Sequence, residues 1–189
     1  MQQPSPTCIK LNPYKMKILT LIAFFAFSNL AGLDIYSIRF PDYNGTQVNM
    51  SIYRNKKIII TAFNAKSPDI SFLRYLNQLQ IKYPSVQVIA IPATDFAGLE
   101  NIAELGKLKD TEKLRIIIGK PSLVQQKNTK QQHPLFQWLT QKEQNNHFNI
   151  DVESTEQLYL VSSKGTLYAV LDKMTTSKKK KKTLNQRVD

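Results

Sequence analysis

The chain has 189 residues, of which 42% are hydrophobic and 10% aromatic, with one cysteine, six glycines and a formal net charge of +12. This is the size of one domain with a substantial core, and the composition excludes a wholly disordered or collagen-like chain. A single cysteine excludes an intramolecular disulfide framework and a four-cysteine metal site.

The charge is unevenly placed. Residues 1–32 carry Lys10, Lys15 and Lys17 and no acid, and residues 173–189 carry seven bases, among them the run Lys178 to Lys182, against Asp189 alone. The body between holds 16 bases and 13 acids, so its net charge is only +3. The high charge belongs to the ends and does not mark the body as a nucleic-acid binder.

Lys15-Met16-Lys17 precedes an apolar run from Ile18 to Phe27, broken only by Thr20, and Ser28-Asn29-Leu30-Ala31-Gly32 follows. Basic, apolar, then small is the order of a secretory signal peptide. The run is shorter than the about 20 residues that a membrane-spanning helix needs. The sequence predicts cleavage near Ala31 or Gly32 and an exported protein, periplasmic or secreted, with a retained N-terminal anchor as the alternative. Three parts result: an extension and signal peptide over 1–32, a folded domain over 33–172 and a lysine-rich disordered tail over 173–189. Cys8 precedes the apolar run, so the exported domain has no thiol.

In the body, Asp34 to Phe40 and Gln47 to Tyr53 alternate as strands around the turn Asp42-Tyr43-Asn44-Gly45, a hairpin signal. Lys57 to Phe63 is a β-branched run typical of a strand covered on both faces. From Ser71 to Tyr83 the positions Phe72, Leu73, Leu76, Leu79 and Ile81 follow near-helical spacing, and Pro84 ends the helix. Val86 to Ile91 is a second candidate for a buried strand, a helical stretch lies around Gly98 to Lys107, and Leu114 to Ile118 is a third strand. Gln125 to Gln132 reads as a loop and Pro134 to Lys142 as a short helix. Gln157 to Val161 and Thr166 to Leu171 flank the turn Ser162-Ser163-Lys164-Gly165. The order predicts an α/β domain with a mixed sheet and helices on both faces.

This order is that of a thioredoxin-like fold with an added N-terminal β-hairpin, and several motifs resemble the glutathione peroxidase family. Ile35-Tyr36-Ser37-Ile38 with Asn44-Gly45 resembles that family's first hairpin, and Tyr53-Arg54-Asn55-Lys56-Lys57 its Y-x-G-K strand entry. Leu76-Asn77-Gln78-Leu79 through Lys82-Tyr83 is similar to its L-N-x-L-x-x-K-Y helix, and Ile91-Pro92-Ala93-Thr94-Asp95-Phe96-Ala97-Gly98 to its F-P-x-N-Q-F-G. His133-Pro134-Leu135-Phe136 through Leu139 matches H-P-L-F-x-x-L, and Leu158 to Gly165 resembles the final hairpin.

The resemblance implies peroxide reduction by a cysteine or selenocysteine assisted by Gln, Trp and Asn, and a role in the oxidative-stress response. Carried onto this sequence, the nucleophile position falls on Ser67, the Gln position on Asp95, and the Trp-Asn pair near Ser154 and Thr155. All four depart from the family pattern. A serine hydroxyl has neither the low pKa of a thiol nor its redox ladder, so Ser67 cannot perform that reaction. The alternative function is a non-catalytic thioredoxin-fold binding domain.

Other residues have plainer readings. His133 and His147 are the only histidines, and His133, opening a helix, suits a cap or structural hydrogen bond better than a base for Ser67. Ser67, or Asp69 after Pro68, suits the N-terminus of the following helix. Asp95 reads as a solvated loop carboxylate or a cap for the following helix, and Trp138 as a packed helix residue. Asp151, Glu153 and Glu156 have no partners at metal-ligand spacing. Asn44-Gly45-Thr46 and Asn49-Met50-Ser51 fit the glycosylation pattern. The sequence predicts a monomer without cofactor, a thiol reductant or peptide as partner, no nucleic acid, and weak contact with anionic surfaces through Lys178 to Lys182.

Overall fold

A computed structural model describes residues 32–96, 102–172, 175 and 177–185. The apolar run from Ile18 to Phe27, Cys8 and Ala31 of the expected cleavage region lie outside the described residues. The centre of the fold is a pair of strands, β3 (Lys57–Asn64) and β4 (Val86–Ala93). They are parallel and in register from Lys57 opposite Val86 to Asn64 opposite Ala93. Every residue of β4 is buried, as are Ile58 to Phe63 of β3. This is why both segments read as unbroken apolar runs: a parallel pair covered on both faces has no polar side to show.

Parallel neighbours need a crossover, supplied by helix α1 (Ile70–Lys82). Its Phe72, Leu73, Leu76 and Leu79 are buried, and Asp69 caps its start by accepting the Phe72 N–H at 3.1 Å. Helix α2 (Ile102–Thr111) makes the second crossover, to the two-residue strand β5 (Ile117–Ile118), parallel to β4. Helices α3 (Pro134–Thr140) and α4 (Lys142–Asn145) then lead to β6 (Leu158–Val161), antiparallel to β3, and β7 (Leu167–Leu171), antiparallel to β6. The sheet order is β5-β4-β3-β6-β7, the mixed sheet expected of a thioredoxin-like domain.

Two apolar layers follow from strand alternation. Ile58, Ile60, Ile89, Ile91, Tyr159 and Val161 meet Leu135, Phe136, Trp138 and Leu139 of α3 and the N-terminal segment on one face. Ile59, Phe63, Val88, Ala90, Leu158 and Leu160 meet α1, Leu105 of α2 and Leu184 on the other. Trp138 is a core residue, 2% exposed, with its indole N–H donating to the Leu33 carbonyl at 2.6 Å.

The N-terminal hairpin is shorter than the alternation suggests: β1 is Arg39–Pro41 and β2 is Gln47–Asn49, antiparallel to each other. Ile35–Ser37 and Met50–Tyr53 are single 3-10 turns. Asp34 and Asn49 cause this, because their side-chain oxygens accept the N–H two residues ahead, from Tyr36 at 3.0 Å and Ser51 at 3.1 Å. Such local bonds compete with a strand ladder. The hairpin lies against β5: Asp42 bridges Gly119, Tyr43 N–H donates to the Ile118 carbonyl and Lys120 N–H to the Pro41 carbonyl. Of the two glycosylation triplets, Asn44 stands exposed in the turn, while Asn49 is half-buried in its cap.

Two further segments differ from expectation. Gln126–Gln131 forms a 3-10 helix rather than an open loop. The lysine run, expected as part of a disordered tail, forms helix α5 (Ser177–Leu184). Leu184 is 7% exposed within the second apolar layer, and Lys57 Nζ donates to its carbonyl at 2.9 Å. One apolar side chain after the lysines is the anchor that charge alone does not reveal. Among the described residues no helix is long and apolar enough to cross a membrane, and no cluster of His, Cys, Asp or Glu could hold a metal ion.

His133 caps α3 from within the core. Its Nδ1 accepts the Leu135 N–H at 3.2 Å, its ring packs edge-on against Phe40 and Phe136, and it is 4% exposed. Burial lowers its pKa from 6.5 to about 3. The unfolded chain therefore binds a proton at this site between those values while the folded chain does not. The stability tied to a neutral His133 is complete above the unfolded pKa and is lost as pH falls below it. Below pH 6.5, urea melts of the parent and of His133→Gln are expected to converge by about 1.4 kcal/mol per pH unit. A constant difference between them would show that His133 is not buried neutral.

Candidate functional site

Two backbone hydrogen bonds bring Ser67, Asp95, Ser154 and Thr155, the positions picked out by the resemblance, to one end of the sheet, where β3 and β4 finish. Ala65 N–H donates to the Ala93 carbonyl at 3.4 Å, holding the loop with Ser67 beside the segment with Asp95. Glu156 N–H donates to the Ala62 carbonyl at 2.7 Å, which sets the Ser154-Thr155 turn next to the end of β3. Glu156 is buried with φ of 72°, a left-handed conformation that ordinary residues adopt only when surrounding contacts enforce it.

Ser67 lies in a loop shaped by its neighbours. The Asn64 side-chain oxygen accepts N–H groups from Lys66 at 2.9 Å and Ser67 at 3.0 Å, and Asp69 caps α1. The cap is therefore Asp69 and not Ser67. The Ser67 side chain is exposed, with no hydrogen bond to a base. His133 is committed to its cap, and His147 is exposed beside Phe148. No pair for serine-histidine chemistry is assembled among the described residues.

Asp95 is neither solvated nor a cap for the helix that follows it. Its Oδ2 accepts three hydrogen bonds from across the chain: Val124 N–H at 2.9 Å, Gln125 N–H at 2.8 Å and Asn128 Nδ2 at 2.9 Å. Oδ1 is buried without a partner. From the other side, Asp151 Oδ1 accepts Gln126 N–H at 2.8 Å, and Gln125 Nε2 donates to the Val152 carbonyl. Gln126 Nε2 reaches Asn149 Oδ1 and the Thr140 carbonyl. Two acids thus clamp the 124–128 segment, and the acidic group before β6 includes a scaffold residue rather than a ligand set.

Ser154 is exposed and Thr155 half-buried, and neither side chain forms a hydrogen bond. No hydrogen bond joins Ser67, Asp95, Ser154 and Thr155 to one another, so they share one end of the sheet without forming a catalytic constellation. Beside Ser67 opens a cleft of about 200 Å³, walled by Ala65, Pro68, Ile70, Leu105 and Leu108 together with the charged Lys66 and Glu104. The sequence reading missed Asn64, Gln125, Gln126 and Asn128. Asn64 carries a local signal, since an Asn closing a strand three residues ahead of Ser67-Pro68 is a turn-forming residue. The others depend on partners some 25 to 33 residues away.

Replacing Asp95 with Ala removes a charged acceptor from three donors and is expected to cost about 2 kcal/mol of stability. Hydrogen exchange should accelerate at the Val124 and Gln125 amides before it does so in β3 or β4. Unchanged protection at those two amides would refute the clamp.

No model of a known protein family matches the chain, and no curated protein is detectably similar to it. Solved structures are similar in fold. A protein named Trgpx, in its apo form, has a TM-score of 0.61 at 18% identity, over 81% of this chain and 94% of that one. GPX1 of T. cruzi has a TM-score of 0.61 at 15% identity, over 80% and 94%. The bacterioferritin comigratory protein of Xanthomonas campestris, described for its alkyl peroxide reduction activity, has a TM-score of 0.51 at 12% identity, over 83% and 95%. The five-stranded mixed sheet with its flanking helices is thus a thioredoxin-like fold, similar to that of Trgpx and T. cruzi GPX1.

Proposed function

We propose that this chain is an exported, monomeric, glutathione-peroxidase-like protein, linked by descent to peroxide reduction and the oxidative-stress response. In this reading its redox step has been lost, and the carboxyl end of its sheet binds a partner such as a peptide. The observation that carries the reading is the state of Ser67. It stands where the resemblance puts the redox atom, and its hydroxyl is exposed and makes no hydrogen bond to a base. Asp95, at the Gln-equivalent position, is occupied in holding the 124–128 segment. The one cysteine of the sequence, Cys8, precedes the domain. What remains at this end is the cleft beside Ser67, an apolar wall carrying one cation, Lys66, and one carboxylate, Glu104, a lining suited to holding a peptide.

The test follows peroxide consumption by the purified chain and by its Cys8→Ser variant, with glutathione or thioredoxin as reductant. Neither is expected to exceed a blank of peroxide and reductant alone, and turnover by either would overturn the reading. Ser67→Cys places a thiol just ahead of α1, where a helix N-terminus favours the thiolate. That variant is expected to gain peroxide-dependent thiol oxidation, whereas Ser154→Cys gains none. An inert thiol in the Ser67→Cys variant would show that Ser67 is not the equivalent position.

A further inference from the structure

The end of the sheet opposite the candidate site, where β3 and β4 begin, has a different character. Lys57 and Val86 open the two strands side by side, and α1 finishes there with Ile81 and Lys82. Helix α5 reaches the same place, with Leu184 buried and its carbonyl held by Lys57. Lys57, Ile59, Tyr83, Val86 and Leu184 line one cleft, so the ends of α1 and α5 are neighbours. Ile81 is 52% exposed next to Lys82, whose ammonium lies 5.7 Å from the Tyr83 ring centre. Ile52, 66% exposed, precedes Arg54 and Lys56 in the turn that leads into β3.

Helical spacing sets Lys178, Lys179 and Lys182 on the side of α5 opposite Leu184, and all three are exposed. Like charges three and four residues apart repel, so the helix is weakened by its own lysines. A negative surface laid against that side would relieve the repulsion and attract the lysines at once. Asp69, Asp95, Glu104, Asp151, Glu153 and Glu156 lie on the helix starts and loops around the candidate site. Arg54, near the start of β3, is itself paired with Asp34 at 2.7 Å, so the basic character of that end rests on α5.

We propose that α5 and the adjoining end of α1 form a docking surface for a bilayer that contains anionic phospholipid. The lysines of α5 lie among the headgroups, and Ile81 enters the boundary with the acyl chains. The exposed isoleucine selects a bilayer over a nucleic acid: a phosphate backbone is matched by cations alone, whereas a membrane interface takes apolar side chains between cations. The candidate site then faces away from the bilayer. This assignment stands whether or not the candidate site proves redox-inactive, because it uses none of that site's residues.

The test is co-sedimentation of the full chain with vesicles of phosphatidylcholine alone or mixed with phosphatidylglycerol, at low and high salt. The apolar run Ile18 to Phe27 is present in every arm, so differences between vesicles and between variants report the docking surface. Binding is expected to favour the anionic vesicles and to weaken with salt. Each lysine among Lys178, Lys179 and Lys182 changed to Gln should lower that affinity about fivefold, and all three about a hundredfold. Ile81→Ser should lower it about tenfold without changing the melting temperature, since Ile81 lies on the surface. Equal affinity for both vesicles overturns the proposal, as does an unchanged affinity in the triple variant. Tighter binding to a duplex DNA oligonucleotide than to anionic vesicles at equal salt also overturns it.

Discussion

The eight-residue parallel register between β3 and β4 is the constraint on which the remaining structure depends. Both strands are buried on both faces, so each backbone N–H and C=O must find its partner in the ladder or in a neighbouring strand. Each fully buried Ile or Val contributes about 1.5–3 kcal/mol relative to exposure, and the pair carries many of them. Once the register is set, α1 has to cross one face. Ala65 then falls beside Ala93, and pairing of β6 with β3 brings Glu156 next to Ala62. The positions of Ser67, Asp95 and the Ser154-Thr155 turn are consequences of strand pairing rather than of contacts among those residues.

This explains what could be read in the chain itself. The β-branched runs, the periodicity of Leu73, Leu76 and Leu79, and His133-Pro134 at a helix start are local statements of burial and capping, and the structure agrees with them. The short β1 and β2 are also locally encoded, through Asp34 and Asn49, although the alternation of neighbouring side chains points to longer strands. Asp95 is of another kind. Its three donors lie 29 to 33 residues away, and nothing in the spacing of a loop carboxylate announces partners at that distance. The helix at the lysine run was hidden for a third reason: one leucine, Leu184, supplies its packing, and a charge count does not register a single apolar anchor.

Asp95 also shows why a carboxylate at a position tied by resemblance to catalysis need not serve chemistry. Its Oδ2 satisfies two backbone N–H groups and an amide that would otherwise lack acceptors, while its Oδ1 is enclosed without a donor. Charged acceptors make stronger hydrogen bonds than neutral ones, so three donors on one oxygen can offset the cost of enclosing the other. Gln at this position could accept similar bonds but would also bring an N–H₂ group needing its own acceptor. Asp95 thus serves a loop held for shape.

The hairpin at the start of the domain has a consequence for the behaviour of the protein in concentrated solution. An outermost strand with free N–H and C=O groups is a template on which another chain can add. Here β5 is only two residues long, and Asp42, Tyr43 and Pro41 engage Gly119, Ile118 and Lys120 at its end. The hairpin therefore acts as a guard on that side of the sheet, against strand addition at β5.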